Sequence, residues 1–142
     1  MKTIISHCEA DTEKAAQDLA PTLKSPQIIF LNGNLGMGKT VFARALIRAL
    51  CNEPTLEVVS PTFTLVQTYE SDATPIFHYD LYRIEDPDEI LNLSWEDSII
   101  EGITIIEWPE RLGAYKPPRY LDITLTNSDN SDTHREILIQ QV

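Results

Sequence analysis

Positive charge is scarce in this 142-residue chain, with 11 Lys plus Arg against 22 Asp plus Glu. The formal net charge is -11 and the pI is near 4.5. Nucleic acids are bound by clustered cations that displace counterions. The best basic cluster here is Arg44 with Arg48, so autonomous binding of tRNA or DNA is excluded as an expectation. Cysteine is equally sparse: Cys8 and Cys51 make neither a CxxC nor a zinc spacing, and both are expected to be free thiols, buried or inert. Long apolar runs are missing too. A membrane span needs about 18 such residues, and the longest stretches here have four or five. Residues 1–7 are too polar for a signal peptide, so the expected setting is the cytoplasm. Glycine numbers only five, yet three of them, Gly33, Gly36 and Gly38, fall within six residues.

With 42% hydrophobic residues, no internal repeat and no linker, residues 1–142 are expected to form one domain. Helical and strand patterns alternate, which predicts an α/β fold. A capping Asp11 or Thr12 opens a helix running to Leu19, and Gln27–Leu31 reads as a buried strand. From Lys39 the apolar positions Val41, Phe42, Ala45, Leu46, Ala49 and Leu50 mark one helix face. Residues 64–69 alternate like a half-exposed strand, and 75–80 and 103–107 read as further strands. Asp86-Pro87-Asp88-Glu89 is a capped helix start. Residues 121–126 and 136–142 flank the polar turn 127–132 and predict a terminal antiparallel hairpin.

The three clustered glycines belong to Gly33-Asn34-Leu35-Gly36-Met37-Gly38-Lys39-Thr40, the G-x-x-x-x-G-K-[ST] pattern. Glycines permit the positive φ angles that turn successive N–H groups inward as an anion nest. The following helix adds its unpaired N–H donors and positive dipole end. Lys39 is placed to reach the β- and γ-phosphates of a nucleotide, and the Thr40 hydroxyl to ligate Mg²⁺. The expected nucleotide contacts are residues 33–40 together with Val41. The preceding apolar strand and the amphipathic helix supply the context this motif requires.

Such a site needs a carboxylate at the C-terminal end of a buried strand. Glu107, after Ile103-Thr104-Ile105-Ile106, is the leading candidate, and Asp80, after Ile76-Phe77-His78-Tyr79, the second. Each is expected to serve Mg²⁺ or the attacking water; the plainer alternative is that either caps a turn. Ser60-Pro61-Thr62-Phe63 is a stiffened hydroxyl-bearing loop, and Thr62 is a candidate sensor of the γ-phosphate. The alternative is a local hydroxyl–backbone bond. His78 reads as a core histidine, and Tyr82, Arg83, Trp95 and Trp108 as either packing residues or contacts with protein partners.

Four segments in this order, Gly33–Thr40, Ser60–Val66, His78-Tyr79-Asp80-Leu81-Tyr82-Arg83 and Ile106-Glu107-Trp108-Pro109-Glu110, resemble the bacterial TsaE (YjeE) family. The likeness runs from about Cys8 to the C-terminus. It implies a P-loop NTPase fold with a mixed, mainly parallel central sheet flanked by helices. It implies an ATPase of tRNA threonylcarbamoyladenosine (t⁶A) synthesis, using ATP and Mg²⁺, weakly active alone and working with TsaB and TsaD. The charge balance adds that tRNA is expected to be reached only indirectly, through that complex. Thr40 and Glu107 match the family's Mg²⁺ residues, Asp80 matches the aspartate of its third motif, and Thr12 and Arg135 match positions near the nucleotide. Asn34, Met37 and Val41 depart from the family's usual acidic residue, Ala and Thr, at positions where the loop uses backbone donors.

Other classes remain to be weighed against an ATPase. A nucleotide-state binding module that hardly turns over would share every motif. A small-molecule kinase needs several arginines to clamp donor and acceptor, and only six Arg are present. A GTPase would carry N-K-x-D and D-x-x-G segments, which are missing.

Overall fold

The computed structural model describes residues 1–34, 36–128 and 133–142. The strands are β1 (Lys2–Ser6), β2 (Gln27–Asn32), β3 (Val66–Glu70), β4 (Pro75–Asp80), β5 (Ile103–Glu107), β6 (Leu121–Asn127) and β7 (Arg135–Gln141). The helices are α1 (Glu9–Leu19), α2 (Lys39–Leu50) and α3 (Trp95–Glu101), with 3₁₀ turns at Ala20–Thr22, Pro87–Asn92 and Pro109–Tyr115. Among the described residues the seven strands form one sheet in the order β1-β7-β6-β2-β5-β4-β3. The central four, β6-β2-β5-β4, are parallel; β1, β7 and β3 are attached antiparallel at the flanks. The predicted mixed sheet and terminal hairpin are both present, the hairpin in register from Leu121↔Gln141 to Asn127↔Arg135. Residues 129–132 of its expected polar turn lie outside the described residues.

Two apolar layers sandwich the sheet. On one face Ile29, Leu31, Ile105, Ile123, Leu125 and Ile137 pack with Ala15 and Ala16 of α1 and Phe42, Leu46 and Ile47 of α2. The other face joins Phe30, Phe77, Tyr79 and Ile106 to Leu81, Ile84, Ile90, Trp95 and Leu112. Each large side chain so buried contributes about 1.5–3 kcal/mol of transfer free energy. Trp95 is 4% exposed, which makes it a core residue rather than a partner contact. Strand alternation decides the faces in β4: Ile76, His78 and Asp80 point toward α1 and α2, Phe77 and Tyr79 away.

Three local expectations are corrected. Helix α1 begins at Glu9, with Cys8 as its cap residue and no side-chain cap bond. Asp11 sits in the first turn, accepting from the His7 N–H at 3.0 Å, while Thr12 is buried and its hydroxyl meets Ser6 Oγ at 2.7 Å. Strand β3 starts at Val66, because Leu65 has φ 69° and its N–H closes a turn onto the Pro61 carbonyl at 2.7 Å. The capping box at Asp86 forms as predicted, with Asp88 N–H donating to Asp86 and Asp86 N–H to Glu89, but a 3₁₀ turn follows it. No described helix is long and apolar enough to cross a membrane.

Candidate nucleotide site

Parallel strands bring their C-terminal ends to one side of a sheet, and three of them deliver the site. Strand β2 ends at Asn32, whose side-chain amide donates to Asp122 Oδ1 at 2.7 Å and ties it to β6. The chain then turns through Gly33, where φ is 148° and a Cβ would lie 2.7 Å from the Leu125 carbonyl oxygen. Only glycine fits so close an approach. Gly38 caps α2 at φ 94°, and Phe42 N–H donates back to its carbonyl at 2.9 Å. The first turn of an α-helix supplies no intrahelical partner for its N–H groups, so the start of α2 offers such donors toward a ligand.

A cavity of ≈ 690 Å³ opens over this helix end. Gly36, Gly38, Lys39, Thr40 and Val41 line it, as do Thr62, Asp80 and Glu107, and so do Thr12 and Arg135. Gly33, Asn34 and Met37 line a second cavity of ≈ 380 Å³ that shares Lys39 and Trp108 with the first. Leu35 lies outside the described residues.

Asp80 and Glu107 are direct register partners on β4 and β5, and both are nearly buried. Their anchors differ. Asp80 Oδ1 accepts from the Tyr82 N–H at 3.0 Å and Oδ2 from the Thr62 hydroxyl at 3.2 Å, with Ser60 Oγ a further 2.8 Å from that hydroxyl. Thr62 is thus bonded to a site carboxylate rather than to the backbone alternative read from sequence. Glu107 Oε2 lies 2.7 Å from Nε2 of His78, which is also buried. Asp80 thus caps the turn after β4 as well as holding Thr62, whereas among the described residues Glu107 caps neither a turn nor a helix.

Lys39 is buried, with its ammonium 3.9 Å above the centroid of the Trp108 ring. Burial pushes the ammonium below the ordinary lysine value, while Glu107, Asp80 and Glu110 pull it back up. Trp108 has φ 59° and is tilted against Tyr82, at 4.9 Å between ring centroids. Arg135, at the start of β7, donates to the Gly36 carbonyl at 3.2 Å and to Asn127 Oδ1 at 3.0 Å, which fixes it beside the phosphate loop.

Sequence reasoning missed part of the wall. His7, Cys8 and Glu9 line the large cavity at the start of α1, and Cys8 is exposed rather than buried. No local pattern marks them, since the β1–α1 junction is brought to the site by β1 pairing with β7 and α1 packing on α2. Trp108, read as packing or partner contact, lines both cavities. For His78 a signal existed: a strand residue two positions from Asp80 shares its face.

Comparisons with known proteins bear on the family and the fold. The family described as "Threonylcarbamoyl adenosine biosynthesis protein TsaE" matches residues 6–137. The tRNA threonylcarbamoyladenosine biosynthesis protein TsaE of Rickettsia conorii is 42% identical over 123 residues, covering 87% of this chain and 70% of its own. That of Aquifex aeolicus is 44% identical over 111 residues, covering 78% and 79%. A crystal structure of Bacillus subtilis YdiB superposes with a TM-score of 0.79 at 24% identity, over 99% of this chain and 85% of that one, which shows the shared fold. With its P-loop fold, its four motifs and these relatives, the chain belongs to the TsaE family of threonylcarbamoyladenosine biosynthesis proteins.

Proposed function

We propose that this chain binds and hydrolyses Mg-ATP as the ATPase component of the tRNA t⁶A37 modification machinery, in association with TsaD and TsaB in the cytoplasm. The observation that carries the reading is convergence: one cavity receives the α2 N-terminus, Lys39, Thr40 and two carboxylates from adjacent parallel strands. Thr40, Asp80 and Glu107 offer the hard oxygen donors Mg²⁺ prefers. Among the described residues no group of three His, Cys, Asp or Glu could cage a metal alone. That fits an ion shared between one or two carboxylates and the phosphates of a nucleotide. When bound, Mg²⁺ would neutralise charge developing on the transferring phosphoryl group.

The chain's own groups supply the rest. Backbone N–H donors of the loop and of α2 hold the phosphates, and Lys39, drawn from the Trp108 face, adds a mobile cation. Glu107 orients the attacking water and would serve the metal. Asp80 would help hold the metal and anchors Thr62, so loss of the γ-phosphate would be felt by the Ser60–Leu65 loop. Phe63 on that loop is 79% exposed, with the Arg83 guanidinium 4.4 Å over its ring and Tyr82 half exposed nearby in sequence. An aromatic and arginine patch of this kind suits a protein contact. The net charge of -11 argues that tRNA is reached only through TsaD and TsaB.

Single-turnover ATP hydrolysis by the full chain, alone and with TsaD and TsaB, tests the reading. Slow hydrolysis alone and faster hydrolysis with partners is expected. Nucleotide binding without turnover in either setting would overturn the ATPase in favour of a nucleotide-state binding module. A tRNA titration of the chain alone should show no tight binding at about physiological salt.

A further inference from the structure

We propose that His78 is a positioning residue, whose hydrogen bond from Nε2 fixes the Glu107 carboxylate in its working orientation; the inference rests on the ATPase reading above. Asp80 and Glu107 face each other across neighbouring strands, and like charges so placed push each other toward different rotamers. Each therefore needs its own anchor. Asp80 has two, the Thr62 hydroxyl and the Tyr82 N–H. For Glu107 the buried partner is His78, two residues back along β4 from Asp80 and so on the same face of the sheet. The bond occupies Oε2 and leaves Oε1 for metal or water.

The histidine's other nitrogen argues that this bond is the reason for the residue. Nδ1 is buried and has no hydrogen-bond partner among the described residues. A ring kept only for packing on this apolar face would be replaced at no loss by leucine, which carries no unsatisfied polar atom. The geometry also selects the tautomer. The carboxylate acceptor lies at Nε2, so the bond uses an Nε2–H donor.

The test compares His78→Gln, His78→Asn and His78→Leu in the full chain. A glutamine amide overlays Nε2 and reaches Oε2; an asparagine amide overlays Nδ1 and does not. We expect His78→Gln to hydrolyse ATP within about threefold of wild type, and His78→Asn and His78→Leu to fall by about 10–100-fold in kcat. ATP affinity should change little in all three. Equal rates for Gln and Asn, each shown folded by thermal unfolding, would overturn the inference. A second readout needs no variant to fold or turn over. Nitrogen-15 NMR of the wild-type imidazole should show a proton on Nε2, and a proton on Nδ1 alone would contradict the assignment. Absence of wild-type hydrolysis, with and without TsaD and TsaB, would overturn the ATPase reading and this inference with it. Wild-type hydrolysis with His78→Leu unimpaired would overturn this inference alone.

Discussion

The two ends of the parallel strands are built from the same backbone and differ in what their polar groups bind. At the C-terminal end, Asp80, Glu107, Lys39 and Arg135 crowd one cavity, and one side-chain hydroxyl and an imidazole are bonded to carboxylates. At the N-terminal end, polar side chains close on backbone instead: Ser25 and Thr74 hydroxyls both donate to the Glu101 carbonyl, at 2.6 and 2.8 Å. There Gly102 abuts Phe77, and a Cβ would meet its ring at 2.7 Å and the Pro75 carbonyl at 2.8 Å. On the proposed reading, one end holds chemistry that the fold does not require. The other holds packing that the chemistry does not touch. The difference teaches that stability and activity should separate by strand end.

The largest effect expected is at Lys39. Lys39→Ala should lower ATP affinity or turnover by on the order of 100-fold or more, since a buried cation facing phosphate is lost, while thermal unfolding stays near wild type. Turnover and affinity both unchanged would break the comparison at its centre. Glu107→Gln should retain nucleotide and lose most hydrolysis, on the order of 100-fold, and Asp80→Asn should lose a similar or smaller share. Partner-supported hydrolysis at the wild-type rate in Glu107→Gln would remove it from the site. At the opposite end, Gly102→Ala should destabilise by about 1–3 kcal/mol through overpacking, read as a lowered denaturant midpoint, with hydrolysis retained at temperatures where the variant is folded.

The smallest effect lies on the far face of β4. Burial pushes the Tyr79 phenol up to about 12, and its hydroxyl donates to the Leu93 carbonyl at 2.6 Å. An unfolded tyrosine ionises near pH 10, so between about pH 10 and 12 the unfolded chain sheds a proton the folded chain keeps. Stability should therefore fall as pH rises through that window, by about 1.4 kcal/mol per unit. Tyr79→Phe should remove that component of the slope and leave hydrolysis near neutral pH unchanged.

Much of this was legible before folding. Strand 75–80, strand 103–107 and helix Lys39–Leu50 appear with the boundaries expected, because apolar run, helical period and flanking Gly or Pro all agree there. Strand β1 escaped notice because Lys2–Ser6 buries only its last residue and shows no alternation. Helix α3 is seven residues long, too short for a period to declare itself. In the site, the phosphate loop and both carboxylates were readable from strand–turn–helix context. Their mutual arrangement was not, because Asp80 opposite Glu107, His78 on Glu107 and Lys39 over Trp108 depend on register between strands distant in sequence. Arg135 beside Gly36 depends likewise on β7 folding back along β6.

The most direct test of the central claim is a crystal structure of the full chain with a non-hydrolysable ATP analogue and Mg²⁺. The account predicts the triphosphate at the N-terminus of α2 within the loop 33–40, with Lys39 moved from Trp108 onto the phosphates. It predicts Mg²⁺ held by Thr40, with Glu107 and Asp80 binding it directly or through water. A nucleotide seated elsewhere, or a metal with both carboxylates turned away, would contradict it.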